Sequence, residues 1–346
     1  MSEPKVSVVI PTFNRSTFLR QAMTSVLAQR YSDFELIVSD NASTDDTPAM
    51  VTGWMDGRIR HFRNDRNLGM APNWNAGMRH ARGEYVVLLE DDNWWHPEYL
   101  ARTVDTLDRH PDIAFVHTGL YLTDAQGKVM QVFRRWGSDR ICDKKTELIT
   151  LLQGNKIFLS TVTARRAIIE TVGLFDEAIP FAPDWDLWLR VYMHHDGAFV
   201  AEPLVFYRQH DANLSKQFLA QPATLLADHQ YVLEKTLGRI GDLYGPGFAR
   251  HARKLSSRWL GRWKADIQVH RAWATLLKGR SRQAREEAAL ALHWDPFVTL
   301  RFPFRLLVIA LPDLGPQGSG RSIAALEERL GRWLARCLPS VFRAFF

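Results

Sequence analysis

Three acids stand side by side at Glu90, Asp91 and Asp92, directly after the apolar run Tyr85-Val86-Val87-Leu88-Leu89. Neighbouring carboxylates repel one another and are costly to desolvate at the end of a buried strand, so a cation is needed to offset them. A divalent metal is the natural choice, because ions such as Mg2+ or Mn2+ are commonly held by one or two carboxylates plus substrate phosphates. An acidic turn capping the next helix would account for the run without a ligand. Asp184 is a second candidate for chemistry. Leu187, Trp188 and Val191 follow it at i+3, i+4 and i+7, so a helix beginning near Asp184 turns that carboxylate inward with its apolar stripe. An ionised, inward carboxylate can serve as a general base, whereas a plain N-cap is the alternative. Asp186 and Arg190 are four apart and read as an ion pair on the helix surface.

The elements that must position these groups are legible from periodicity. Residues 6–10 form a short apolar run ended by Pro11, and Leu19, Ala22, Met23, Val26 and Leu27 then recur at helical spacing. Phe34 to Val38 repeats the strand pattern, and the polar stretch Ser39 to Asp46 opens a helix toward Trp54. A strand follows at about 58–62. After Asn67-Leu68-Gly69 a helix runs to about Ala81, Gly83 breaks it, and the apolar run 85–89 has the character of a central parallel strand. This alternation implies an α/β fold with a mostly parallel sheet flanked by helices, in which ligands gather outside the strand C-termini. Asp124-Ala125-Gln126-Gly127 is a turn signal inside extended segments from Ala114 to Val132, the pattern of an added hairpin. Beyond Ser215 helices dominate, with Gly245-Pro246-Gly247 and Leu311-Pro312 to Gly320 as the clearest breaks.

The ordered series of motifs resembles the family 2 glycosyltransferases, which have the nucleotide-diphospho-sugar transferase (GT-A) fold. Val8-Val9-Ile10-Pro11-Thr12-Phe13-Asn14-Arg15 is similar to the family's first strand and nucleotide loop, and Val38-Ser39-Asp40-Asn41-Ala42-Ser43-Thr44-Asp45 to its second. Asn67-Leu68-Gly69, Asn75-Ala76-Gly77 and Ala81-Arg82-Gly83-Glu84-Tyr85 then lead into the acidic run as the family pattern does. Phe175-Asp176-Glu177, Asp184 to Arg190 and Tyr207-Arg208-Gln209-His210 complete it. Each piece is weak alone; the set covers about residues 5–215.

The resemblance implies a sugar transferase using a nucleotide-diphospho-sugar, UDP-linked by expectation, and inverting as most of the family are. It places Asp40 against an imide N–H of the base, with Thr12, Asn14 and Arg15 lining the nucleotide pocket. Helix capping is the competing role for Asp40. It makes Asp92 the main metal ligand, sets Glu90 and Asp91 beside ribose or metal-bound water, and lets His210 join the metal. Glu90 departs from the family, which most often has Asp there. An imidazole beside carboxylates tilts the preference from Mg2+ toward Mn2+. Asp184 becomes the base that deprotonates the acceptor hydroxyl. Trp94, Trp95, Trp185 and Trp188 cluster around these motifs as either a sugar platform or, their commoner fate, core.

The chain has 346 residues, 46% hydrophobic and 24% charged, with a formal net charge of +6. This is ordinary globular composition. Only Cys142 and Cys337 occur, so no disulfide framework or cysteine zinc site is indicated. The first residues lack a signal-peptide pattern, and no stretch reaches the roughly 18 apolar residues of a membrane span. A cytoplasmic location is expected, with a catalytic domain over 1–215 and a helical, basic extension over 216–346. In the extension, Trp273, Leu276 and Leu277 with Ala284 to Leu290 resemble one helical hairpin of a tetratricopeptide repeat. Phe302, Phe304, Leu306 to Leu311, Trp333 and Val341 to Phe346 alternate with Arg301, Arg305, Arg329, Arg332, Arg336 and Arg343. Such a pattern suits either an anionic membrane surface carrying a lipid-linked glycan acceptor or a helical subdomain packed on the core.

Other classes fit less well. A nucleic-acid partner is not expected, since the acidic run would repel phosphate without a metal. A dinucleotide-dependent oxidoreductase lacks the Gly-rich fingerprint after the first strand. A sugar-nucleotide-binding protein without catalysis would have no need of Asp40, Asp92, Asp184 and His210 together.

Overall fold

The computed structural model describes residues 3–211, 213, 221–278 and 280–302. The sheet strands are β1 (Val6–Thr12), β2 (Phe34–Asp40), β3 (Ile59–Arg63), β4 (Tyr85–Leu88), β5 (Trp94–Trp95), β6 (Ile113–Thr123), β7 (Val129–Phe133), β8 (Arg140–Cys142), β9 (Val162–Arg165) and β10 (Asp196–Arg208). Their order is β3-β2-β1-β4-β9-β6-β10-β5, with β7 on β6 and β8 on β10. The N-terminal half is parallel, β3 to β2 to β1 to β4. Antiparallel β9 joins it to a second parallel pair, β6 and β10. The α/β expectation therefore holds.

Helices α1 (Ser16–Leu27), α2 (Thr47–Thr52), α3 (Met70–Arg79), α4 (Tyr99–Arg109), α5 (Lys144–Leu151), α6 (Arg166–Val172) and α7 (Pro183–Tyr192) flank the sheet. Every residue of β1 and β2 is buried, as a parallel strand covered on both faces must be. Alternate residues serve opposite faces. Val6, Val8 and Ile10 share one core with Leu19, Met23 and Val26 of α1 and Leu100, Val104 and Leu107 of α4. On the other face α3 lies so close that a Cβ at Gly77 would come within 2.5 Å of Val9 Cγ1 and 3.0 Å of Ser39 Cβ. Glycine is required there by proximity.

The hairpin expected near Asp124 is present: β6 and β7 pair antiparallel around it, and Gly127 takes φ +88° to close the turn. The Asp186–Arg190 ion pair also forms, at 2.8 Å, but its expected surface position is corrected: both residues are buried. Arg190 is drawn inward because its guanidinium donates to the carbonyls of Val172, Gly173 and Leu174 at the end of α6. The four tryptophans are core or near-core: Trp95, Trp185 and Trp188 are buried, and Trp94 stacks on Phe206 at 5.1 Å.

The chain divides into two compact units, Met1–Ser256 and Ser257–Phe346. The last strand ends at Arg208 and the next described helix begins at Pro222, and that helix belongs to the sheet unit up to Ser256. Asp228 accepts the N–H groups of Phe181 and Ala182, both at 2.9 Å, and Lys235 lies 2.6 Å from Asp176. The helix Pro222–Leu277 breaks its geometry at Gly245 (φ 80°) before Pro246. In the second unit, Ala265, Val269, Trp273 and Leu276 pack against Ala284, Ala288 and Ala291 of helix Ser281–Trp294, the helical hairpin expected from the repeat-like sequence. No helix among the described residues is long and apolar enough to cross a membrane. The expectations for Phe304, Leu306 to Leu311, Trp333 and the arginines and aromatics beyond them lie outside the described residues.

Candidate active site

Strand β4 delivers the acidic run to the C-terminal edge of the parallel sheet, next to the end of β1, and the chemistry is assembled from these two ends. Thr12 Oγ1 donates to Asp91 Oδ2 at 2.8 Å. Arg15 follows at the start of α1, and its Nη1 lies 3.2 Å from Asp91 Oδ1 and 3.1 Å from Asp92 Oδ2. The end of β10 supplies the third side. Arg208 donates through Nε to the Asp92 carbonyl at 3.0 Å, its backbone N–H donates to Asn93 Oδ1 at 3.0 Å, and its guanidinium also reaches Gln21. This tethers His210, whose Nε2 sits 3.1 Å from Asp92 Oδ2 and whose backbone N–H donates to Asn213 Oδ1.

A cavity of about 300 Å³ opens over the acidic run and is lined by Arg15, Glu90, Asp91 and Asp92 together with Asp184, Asn155, Lys156, Trp74, Tyr207 and Asn213, while His210 lies buried behind Asp92 outside its lining. A second, of about 250 Å³, shares Pro11, Arg15, Met70, Trp74 and Asp91 with it and continues along Thr12, Asn41, Asn67, Gly69 and Asn73. Asp184, far from the acids in sequence, is thus brought to the same cavity. Its Oδ2 accepts the Asn155 side-chain amide at 2.8 Å, and burial pushes its pKa up to about 6. Burial, then the neighbouring Asp92 charge, pushes Glu90 up to about 8 and Asp91 up to about 6. Glu90, longer than an aspartate, folds onto Ser160 and Asn93, whose side chains donate to its Oε2 at 2.9 and 3.1 Å.

Asp40 and Asn14 are placed differently. Asp40 is fully buried and forms no part of either cavity wall. Its Oδ1 accepts the Ser43 N–H at 2.8 Å, while Oδ2 is a buried oxygen without a hydrogen-bond partner, 3.7 Å from both His61 Nε2 and Arg63 Nε. Burial alone would raise its pKa, but His61, Ser43 and the Arg63 charge outweigh it and hold it below the usual carboxylate value. Asn14 staples the two nucleotide-loop candidates together: its N–H donates to Ser43 Oγ at 2.9 Å and its Oδ1 accepts from Thr44 N at 2.7 Å. Asn14 (φ 52°) and Ala42 (φ 64°) both adopt the left-handed region, where non-glycine residues cost energy and functional loops concentrate.

Among the described residues no group of three or more His, Cys, Asp or Glu side chains converges as a complete metal site. The fit is nevertheless good for an ion completed by phosphates. Asp92 Oδ2 and His210 Nε2 lie 3.1 Å apart, a carboxylate and an imidazole of the kind that would hold Mn2+ or Mg2+ together with substrate phosphates.

Residues 7–166 match the model of the Glycosyl transferase family 2. An uncharacterized glycosyltransferase of Rickettsia typhi is 26% identical over 63% of this chain and 68% of its own length. The Campylobacter jejuni GalNAc(5)-diNAcBac-PP-undecaprenol beta-1,3-glucosyltransferase is 32% identical over 55% of this chain and 60% of its own. Among solved structures, S. aureus TarS 1-349 in complex with UDP-GlcNAc superimposes with a TM-score of 0.56 and 16% identity, over 86% of this chain and 92% of the 1-349 chain. The mannosyltransferase PcManGT of Pyrobaculum calidifontis, in complex with GDP-Man and Mn2+, gives 0.53 and 21%, over 90% and 87%. Strand order, acidic strand end and relatives agree: this is an enzyme with the GT-A fold. Its residues 7–166 are a region similar to glycosyltransferase family 2.

Proposed function

We propose that the protein transfers a sugar from a nucleoside-diphosphate sugar to a hydroxyl of a glycan or lipid-linked glycan, in a single inverting displacement dependent on a divalent metal. The observation that carries this is one cavity that brings Arg15, Asp91 and Asp92 together with Asp184. Asp92 and His210 are the residues that would hold Mn2+ or Mg2+, and the ion would neutralise charge on the departing diphosphate. Asp184, kept in place by Asn155, accepts the acceptor's proton as its oxygen attacks C1 from the face opposite the phosphate. Asp91, fixed by Thr12 and Arg15, is the carboxylate nearest the junction of the two cavities and suits the ribose; the orphan Oδ2 of Asp40 suits a base N–H once the loops carrying Asn14 and Ala42 admit the nucleotide.

The names of similar proteins support the reading: TarS is described with UDP-GlcNAc and PcManGT with GDP-Man and Mn2+, and the C. jejuni relative is named for an undecaprenol-linked acceptor. The Escherichia coli relative WcaA is named a putative colanic acid biosynthesis glycosyl transferase, which favours cell-envelope glycans. A lipid-linked acceptor would place the enzyme at the cytoplasmic membrane face. A thermal-shift screen of nucleotide-sugars with and without Mn2+, followed by transfer assays, tests the proposal. At least one sugar nucleotide should stabilise the protein only with metal, EDTA should stop transfer and Asp92→Ala should abolish it. Full transfer in EDTA would reject the metal-dependent mechanism.

A further inference from the structure

The acidic run already has a cation in place. A single nitrogen, Arg15 Nη1, sits between two carboxylates, 3.2 Å from Asp91 Oδ1 and 3.1 Å from Asp92 Oδ2. The second of these oxygens is the one that faces His210 Nε2 at 3.1 Å. The guanidinium and the imidazole therefore share the one Asp92 oxygen that would also serve a metal. Arg15 is more exposed than either aspartate: its side chain is 23% exposed, against 7% and 9%. It also lines both cavities, so it borders the space an anion at their junction would take as well as the acids.

We propose that Arg15 is a built-in counter-cation of the metal site: it neutralises Asp91 and Asp92 in the sugar-nucleotide-free protein and gives way when a nucleoside diphosphate arrives. This rests on the metal-dependent transferase reading. An arginine stays charged at any working pH, so its hold on the carboxylates is released by movement, not by titration. A metal alone must compete with it for Asp92. A metal arriving with a diphosphate meets no such competition, because the phosphates offer the guanidinium a bidentate partner of their own. Metal and nucleotide then bind with positive coupling, and linkage requires the coupling to act equally in both directions. Thr12, donating to Asp91 at 2.8 Å, keeps that carboxylate in position after Arg15 leaves.

The test is a titration of Mn2+ into the full-length protein, read by the electron paramagnetic resonance of the free ion, without nucleotide and with saturating UDP or GDP. The wild type should bind Mn2+ at least tenfold more tightly when nucleotide is present. Arg15→Gln should bind Mn2+ alone at least tenfold more tightly than wild type, and should gain less from nucleotide. Arg15→Lys, whose ammonium cannot span both carboxylates in the same way, should fall between them and serves if the glutamine variant is misfolded by circular dichroism. A folded Arg15 variant whose affinity for Mn2+ alone equals or falls below that of the wild type, while the wild type keeps its coupling, overturns the proposal and leaves the transferase reading intact. A wild type that binds Mn2+ neither alone nor with nucleotide removes the metal-dependent reading itself.

Discussion

Asp184 is a carboxylate whose environment suits a base at mildly acidic to neutral pH. Burial raises its pKa to about 6, and the Asn155 amide opposes that rise by stabilising the ionised form. A base must be ionised to act, so kcat/KM should climb with pH through about 6 and level above it; Asp184→Asn should erase that limb. The same change should lower turnover by a factor on the order of 10² or more while sugar-nucleotide affinity stays near normal. Loss of nucleotide binding with unchanged turnover would make Asp184 structural. Removing the opposing amide with Asn155→Ala should move the limb to higher pH, measurable in the same profile. Much of this site was legible beforehand, because three adjacent acids after an apolar strand and an acid on the apolar stripe of a helix are anomalies in a single stretch of sequence. Asn155, Lys156 and Trp74 were not, since each reaches the cavity through tertiary contacts and sits in sequence with no local anomaly. The depth of Asp40 was equally hidden: the acid that ends β2 is buried beside His61 and Arg63 of the next strand.

Helix α7 is anchored by an ionic network that reaches the helical extension. Asp186 Oδ2 lies 2.8 Å from Arg190 Nε and its Oδ1 lies 2.9 Å from Lys235 Nζ, while Arg190 caps three carbonyls at the end of α6. Asp186→Ala leaves a buried guanidinium without its carboxylate and should cost about 3–5 kcal/mol in urea unfolding. Lys235→Met, on the more exposed side of the network, should cost about 1 kcal/mol or less. Equal losses would mean that Lys235, not Arg190, holds the carboxylate in place. A loss in the aspartate variant should also depress turnover, because Asp184 opens the same helix. At this scale β1 to β4 and α1 to α3 could be read from period and punctuation, since uninterrupted apolar runs alternate with amphipathic stripes. Strand β10 could not. Its pairing with β6 shifts register between Val200 and Pro203 and again between Pro203 and Val205, so the period-two alternation that signals a strand is broken. The i,i+4 pairing of Asp186 with Arg190 was visible in the sequence, but its depth was set by acceptors on α6 that spacing cannot reveal.

The two compact units each have a hydrophobic core of their own. The core of the second unit relies on helix Ser281–Trp294, whose Ala284, Ala288 and Ala291 cover Trp273 and Leu276. A chain ended near Arg280 would uncover that tryptophan and should aggregate, so it cannot separate membrane binding from folding. Ending the chain after Phe302 keeps this core and removes Leu306 to Leu311, Trp333, Phe342, Phe345 and Phe346 together with Arg305, Arg329, Arg332, Arg336 and Arg343. These aromatics and aliphatics interleaved with arginines have the composition of a segment that lies on an anionic bilayer, each arginine adding roughly 1 kcal/mol near the surface. Full-length protein should therefore sediment with vesicles rich in phosphatidylglycerol at low salt and be released as the Debye length shrinks with added salt. The chain ending at Phe302 should keep its cooperative unfolding, bind sugar nucleotide and turn over a soluble acceptor analogue, yet stay in the supernatant with the same vesicles. If the full-length chain ignores the vesicles at low salt, or the shortened chain loses cooperative unfolding, residues 303–346 serve the fold and the acceptor must be met without a membrane anchor of this kind.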